Sequence, residues 1–148
     1  MEPKFTVAGR ISKPVEEVFK AVVEPGQLTQ YFATGGASGR LEAGVEVAWN
    51  FRESAAVCPV LVQEVVPNRK IVLQWEPEKD SATWTTVTME FQPLDDGRTL
   101  VRITEFGWSS TPEGLSSSFV NCEGWTGMIC AMKAWLEHGI NLREGFYK

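Results

Sequence analysis

C122-E-G-W-T-G-M-I-C-A-M-K-A-W-L136 places Cys122, Trp125, Ile129, Met132 and Leu136 at alternating three- and four-residue steps, with Met128 and Trp135 flanking them. That spacing gathers one broad, bulky, apolar stripe along one side of an α-helix. His138-Gly139 fits its C-terminal cap, because glycine takes the left-handed conformation that closes a helix without a steric penalty. The other side carries Gly124, Gly127, Ala131 and Ala134. Each mid-helix glycine costs about 1 kcal/mol relative to alanine, so close packing against a backbone, or against a second subunit, is expected to compensate. A stripe this wide also requires a large apolar surface to lie on.

The preceding residues supply that surface. Lys4 to Ile11 reads as a strand, with Ser12 placed to cap a short helix that Pro14 begins, and Val15, Val18, Phe19 and Val22 recur at helical spacing. Pro25-Gly26 stops that helix, and Gln27 to Phe32 reads as a second short one. The pattern then changes to period two, weakly from Ala37 to Leu41 and clearly from Val45 to Phe51. Val60 to Val66 and Ile71 to Glu76 form a hairpin across Pro67-Asn68-Arg69-Lys70. A polar loop leads to Thr83 to Phe91, and Asp95-Asp96-Gly97 turns the chain into Thr99 to Gly107. Trp108 to Leu115 reads as a loop before the long helix. Strands joined by tight turns must be antiparallel, since a parallel pair needs a crossover of a dozen or more residues. The expected fold class is therefore α+β: a curved antiparallel sheet of six or seven strands wrapped around a long C-terminal α-helix, with two short helices after the first strand. The expected organisation is a single domain spanning residues 1–148.

Composition narrows the functional classes. Hydrophobic residues make up 43% of the chain and charged residues 22%, an ordinary globular balance. Six tryptophans and eight phenylalanines are an excess suited to a large core or an apolar pocket. A net charge of -5 without a Lys/Arg cluster argues against nucleic acid and anionic membranes. The start, MEPKFTVAGRI, lacks the apolar core of a signal peptide, and no run approaches about 18 apolar residues, so the expected location is cytoplasmic. Cys58, Cys122 and Cys130 are unpaired in number and lack zinc-motif spacing, and are expected to be reduced, buried thiols. With His138 as the only histidine, histidine triads and multi-histidine metal sites are excluded, and no metal or cofactor is expected.

The segments I11-S-K-P-V-E-E-V-F-K-A, L28-T-Q-Y-F, V62-Q-E-V-V-P-N-R-K-I-V-L-Q-W75, T104-E-F-G-W108 and G124-W-T-G-M-I-C-A-M-K-A-W-L-E-H-G139 resemble the SRPBCC, or START-like, superfamily. Within it the chain looks most like bacterial homologues of the activator of the ninety-kilodalton heat-shock protein ATPase. The resemblance covers nearly the whole chain and implies a helix-grip fold with a cavity between sheet and helix. It implies no single activity, because the superfamily includes lipid carriers, plant allergen-like binders, and polyketide cyclases and aromatases. The expected function is binding of a small hydrophobic or amphipathic ligand, a lipid among the candidates, rather than catalysis. A cochaperone or stress-response domain that contacts a heat-shock ATPase is one alternative, and a cyclase- or hydrolase-type enzyme using a cavity carboxylate is another. The resemblance covers only the C-terminal half of the eukaryotic cochaperone. Either a monomer or a homodimer fits.

Glu105 is the sharpest candidate, because alternation puts it on the face of Val101 and Ile103, where burial raises a carboxyl pKa unless it is paired. Tyr31 would stand at the mouth if its short helix closes the cavity, and Arg52, Glu53 and Arg102 are further polar side chains within reach. Trp49, Phe51, Trp75, Met89, Phe91, Ile103, Trp125, Ile129 and Met132 face inward and complete the expected ligand-binding set. Spacing alone does not separate a cavity lining from plain core. Glu64 and Glu90 alternate with apolar neighbours and read as solvated. The glycines at Gly35-Gly36 and Gly39 lack the lysine and spacing of a phosphate loop.

Overall fold

The computed structural model describes residues 1–76 and 84–148. Strand β1 (Lys4–Ile11) is followed by helices α1 (Val15–Val23) and α2 (Pro25–Leu28), then by β2 (Gly36–Ala37), β3 (Glu46–Asn50), β4 (Val57–Val66), β5 (Lys70–Trp75), β6 (Thr85–Pro93) and β7 (Thr99–Phe106). Helix α3 (Pro112–His138) ends the regular structure. Among the described residues the strands form one antiparallel sheet of seven in the order β1-β7-β6-β5-β4-β3-β2, with α3 packed mainly on β1 and also touching β7. This is the helix-grip arrangement. The polar loop expected after Glu76, and the start of the next strand at Thr83, lie outside the described residues.

The chain order explains the two short helices. From β2 onward each strand pairs with its sequence neighbour, whereas β1 pairs with β7, Lys4 opposite Phe106 and Ile11 opposite Thr99. The chain must therefore cross from one edge of the sheet to the other between β1 and β2, and α1 and α2 make that crossing. Val18, Phe19 and Val22 of α1 are buried, and Phe19 meets Phe91 of β6 edge-on.

Local chemistry moves several boundaries from their expected places. Pro14, not Ser12, is the cap residue of α1, and no side chain caps that helix. The Ser12 amide instead donates to Glu137 Oε2 at 2.9 Å, pinning the last turn of α3 to the end of β1. Helix α2 starts at Pro25 and stops at Leu28 rather than spanning Gln27 to Phe32, because proline at the first turn pre-sets the helical φ. Helix α3 begins at Pro112, inside the stretch expected to be a loop: Thr111 Oγ1 accepts from the Gly114 amide at 3.1 Å, and proline follows the cap. A Cβ at Gly114 would lie 2.0 Å from the Ser109 carbonyl oxygen, so only glycine fits this first turn.

The buried stripe of α3 is Trp125, Met128, Ile129, Ala131 and Met132, so Ala131 belongs to the inner side and not to the small-residue side. The close approach of helix and sheet comes from the strand: a Cβ on Gly9 of β1 would stand 2.6 Å from Ile129 Cγ2. On the outer side of α3, Gly127 faces the hydroxyl of Tyr147, and a Cβ at Gly124 would meet nothing within 4 Å. Contrary to the expectation from composition, neither helix glycine packs on a backbone. The cysteines are free, but Cys58 and Cys122 are half-buried and Cys130 is exposed, so they are not core thiols. Among the described residues no helix is long and apolar enough to cross a membrane.

Candidate functional site

Glu105 is fully buried on β7, where its neighbours across the ladder are Phe5 of β1 and Val87 of β6. Its carboxylate collects four donors. Oε1 accepts from Trp125 Nε1 at 2.8 Å and from Asn121 Nδ2 at 3.1 Å. Oε2 accepts from Thr85 Oγ1 at 2.5 Å, Trp75 Nε1 at 2.9 Å and Asn121 Nδ2 at 3.1 Å. Three elements converge on this group: β5 supplies Trp75, β6 supplies Thr85, and α3 supplies Asn121 and Trp125.

Loss of water raises the Glu105 pKa, against the pull of its four donors, which favour the charged form. Thr85 makes both protonation states tolerable. Its hydroxyl also lies 3.3 Å from the Trp75 carbonyl oxygen, so it can donate there and accept from a protonated Oε2 when the acid is neutral. Trp75, Asn121 and Trp125 have no such alternative at the carboxylate, and each donates to it. The result is a clamp that fixes the orientation of two indole rings.

The outer sides of Trp75 and Trp125 form the wall of an open cavity of about 360 Å³ between the sheet, α3 and the segment after Gly139. Phe32 and Phe51 complete its aromatic lining, with Phe32 stacked on Trp125 at 5.3 Å and edge-on to Phe51 at 5.0 Å. Asn121, Glu53 and Arg143 bring polar groups to the same cavity. Arg143 Nε donates to Glu53 Oε1 at 2.9 Å, and Nη2 reaches the same oxygen. A second, larger groove of about 570 Å³ runs along the outer side of α3 past Phe119, Gly127 and Phe146.

The expected ligand-binding set divides between cavity and core. Phe51, Trp75 and Trp125 line the cavity. Glu105 lies directly behind its wall. Trp49 touches Trp75 edge-on at 5.8 Å, one layer further in. Met89, Phe91, Ile103, Ile129 and Met132 belong to the packed core between sheet and helix. Tyr31 is fully buried, its hydroxyl donating to the Ala21 carbonyl at 2.9 Å, and its pKa is pushed up by that burial. It ties α1 to the turn after α2 and does not stand at a mouth. Arg52 lines an outer polar cleft, and Arg102 donates to Gln92 across the exposed side of the sheet. Glu64 pairs with Lys70 at 3.2 Å in solvent.

Phe32, Asn121, Arg143 and Tyr147 are site residues that sequence reasoning missed. The spacing of Asn121, one turn before Trp125 on the helix, was an available signal. No periodicity marks Arg143, which lies beyond the cap of α3.

The family model for "Activator of Hsp90 ATPase homolog 1-like protein" matches residues 12–137. No curated protein matches significantly. Several solved structures share the fold. A Staphylococcus saprophyticus protein is 24% identical with a TM-score of 0.77, covering 95% of this chain and 96% of its own. The Aha1 dimer of Colwellia psychrerythraea is 19% identical with a TM-score of 0.76, covering 93% and 98%. An HSP90 activator from Plasmodium falciparum is 22% identical with a TM-score of 0.73, covering 90% and 96%.

Proposed function

The chain belongs to the family of activator of Hsp90 ATPase homolog 1-like proteins, and we propose that it acts as a single cytosolic START-like domain that binds a small hydrophobic or amphipathic molecule. The observation that carries this reading is the cavity walled by Phe32, Phe51, Trp75 and Trp125, of about 360 Å³, within the usual range for small-molecule sites. Two of its four rings are held from behind by Glu105, so the wall is ordered before a ligand arrives and little side-chain freedom is lost on binding. The ligand's flat or extended apolar body would lie on the indoles, and its polar end would meet Asn121, Glu53 and Arg143.

Glu105 serves this function by positioning. Its two oxygens are occupied by protein donors, which leaves the carboxylate committed to the wall and not to a reacting group. Native mass spectrometry of the purified protein, followed by tryptophan-fluorescence titration with fatty acids, sterols and aromatic polyketides, tests the reading. A bound species or saturable quenching by one class is expected; no bound species and no response to any class would overturn it.

Family membership supports a second reading, contact with a heat-shock ATPase, since a structural relative is named as an HSP90 activator and another as an Aha1 dimer. A bacterial heat-shock ATPase whose rate and sedimentation are both unchanged by this protein would remove it.

A further inference from the structure

The polar end of the cavity contains a cation supplied by the chain's own tail. After Gly139 closes α3 with a φ of 67°, the Asn141 side chain accepts from the backbone amides of Arg143 and Glu144 and turns the chain back. Arg143 points inward from that turn while Ile140, Leu142 and Phe146 stay exposed. Its guanidinium carbon lies 5.2 Å from the ring centroid of Phe32, 5.0 Å from that of Phe51 and 4.7 Å from that of Tyr147. Glu53 supplies the countercharge, and the two charged side chains are only 11% and 18% exposed.

Three ring faces and one carboxylate around a weakly hydrated planar cation have the composition of an aromatic cage for guanidinium or substituted ammonium groups. The parts differ in how firmly they are held. Phe32 is buried against Trp49 and Trp125. Phe51 packs against Phe32, and Glu53 follows two residues later. Arg143 and Tyr147 belong to the segment after α3, and the Tyr147 hydroxyl stands over Gly127 of that helix. Moving that segment would leave two rings and an unpaired carboxylate facing the cavity.

We propose that this end of the cavity is a cation-binding site, occupied in the free protein by Arg143 as an internal pseudo-ligand, and that its external ligands are amphipathic organic cations. Such a ligand has an alkyl or aryl body for the Trp75–Trp125 wall and a guanidinium or substituted ammonium head that replaces Arg143 against Phe32, Phe51 and Glu53. The inference rests on the reading of the cavity as a ligand site and adds the charge of the ligand. A carboxylate head that took the place of Arg143 would meet the repulsion of Glu53, and one paired with Arg143 where it stands would lose affinity in Arg143→Ala.

The test compares three probes of equal chain length, octyltrimethylammonium, octanoate and octanol, below micellar concentrations, by calorimetry and tryptophan fluorescence. The full-length protein is used as wild type, as Arg143→Ala and as Arg143→Ala with Glu53→Gln. Arg143→Ala is expected to bind octyltrimethylammonium about tenfold more tightly than wild type, a gain larger than any for octanol, and the added Glu53→Gln is expected to cancel it. Should Arg143→Ala fail to fold by thermal melting, Gly127→Ala opens the site from the far side. Its methyl would lie 2.5 Å from the Tyr147 hydroxyl, so it should loosen the tail and raise affinity for the cation. Octanol binding without any gain for the cation, or a gain for octanoate instead, overturns the cage and leaves the cavity standing as an apolar site. No probe bound by any form overturns the cage, and the cavity itself falls only if the fatty-acid, sterol and polyketide titrations fail as well.

Discussion

Replacing Glu105 by glutamine isolates what the buried carboxylate contributes, because the amide has the shape of the protonated acid. The amide oxygen can take the place of Oε1 and keep Trp125 and Asn121. The amide nitrogen then stands where Oε2 was. Thr85 can accommodate it by turning its own hydroxyl to the Trp75 carbonyl, but the Trp75 indole N–H would face another donor. One buried donor is thus left unpaired, which costs about 1–3 kcal/mol. Glu105→Leu leaves both indoles unpaired and should cost about twice as much, a large share of the ~5–15 kcal/mol that holds a typical domain together.

The pH dependence fixes the sign. Burial raises the folded-state pKa of Glu105, so between the unfolded value, about 4.3, and the raised value the native state holds more protons than the unfolded one. Wild-type stability from this group is complete below the unfolded pKa and is lost as pH rises through the folded one. Glutamine has no such slope. The deficit of Glu105→Gln relative to wild type should therefore be greatest near pH 4 and shrink as pH rises, by about 1.4 kcal/mol for every tenfold by which folding weakens the acid. Urea denaturation followed by tryptophan fluorescence, repeated for both proteins from pH 4 to pH 8, measures the difference. A deficit that is flat with pH, or that grows with it, would refute the reasoning.

Other substitutions test other parts of the fold. Gly124→Ala should raise stability by about 1 kcal/mol, because its new methyl meets nothing and the helix gains propensity; a melting temperature that falls would contradict the open space found there. Gly9→Ala should destabilise by about 1–3 kcal/mol, since Ile129 must move away from β1; Ile129→Ala, which removes the Cγ2 that the new methyl meets, should cost less in the Gly9→Ala background than in wild type by urea unfolding. Thr111→Ala removes the cap of α3 and should lower stability by about 1 kcal/mol, with faster amide exchange confined to the first turn of that helix. Tyr31→Phe leaves the Ala21 carbonyl without its donor and should lower stability by about 1–2 kcal/mol in the same urea assay, with ligand affinity unchanged because Tyr31 lies away from the cavity.

Alternation and helical spacing are local properties, and they were enough for the long helix and for every strand but the one expected over Ala37 to Leu41, where only Gly36–Ala37 pairs. Lys4–Ile11 was legible to the residue, the Asp95-Asp96-Gly97 turn and the Gly139 cap were legible from turn chemistry, and the burial of Glu105 followed from its place beside Val101 and Ile103. Boundaries set by a single polar contact were not. Thr111 starts α3 and Ser12 caps nothing, because in each case the deciding hydrogen bond depends on where the backbone already lies.

The chemistry of the site belongs to the tertiary structure. Sequence placed Glu105 inside an apolar lining, but its donors are separated from it by up to 30 positions, and only the packing of α3 on the sheet brings Trp75, Thr85, Asn121 and Trp125 to one carboxylate. Inward-facing positions also could not be sorted into cavity and core. Met89, Ile103 and Met132 close up, whereas Phe51, Trp75 and Trp125 stay open, because the curvature of the sheet and the return of the tail decide where atoms fail to meet. The small-residue side of the long helix shows the same division: its composition demanded a partner, and the fold supplied the Tyr147 hydroxyl at Gly127 while leaving Gly124 bare. Periodicity determines which way a side chain faces; only the assembled chain determines what it finds there.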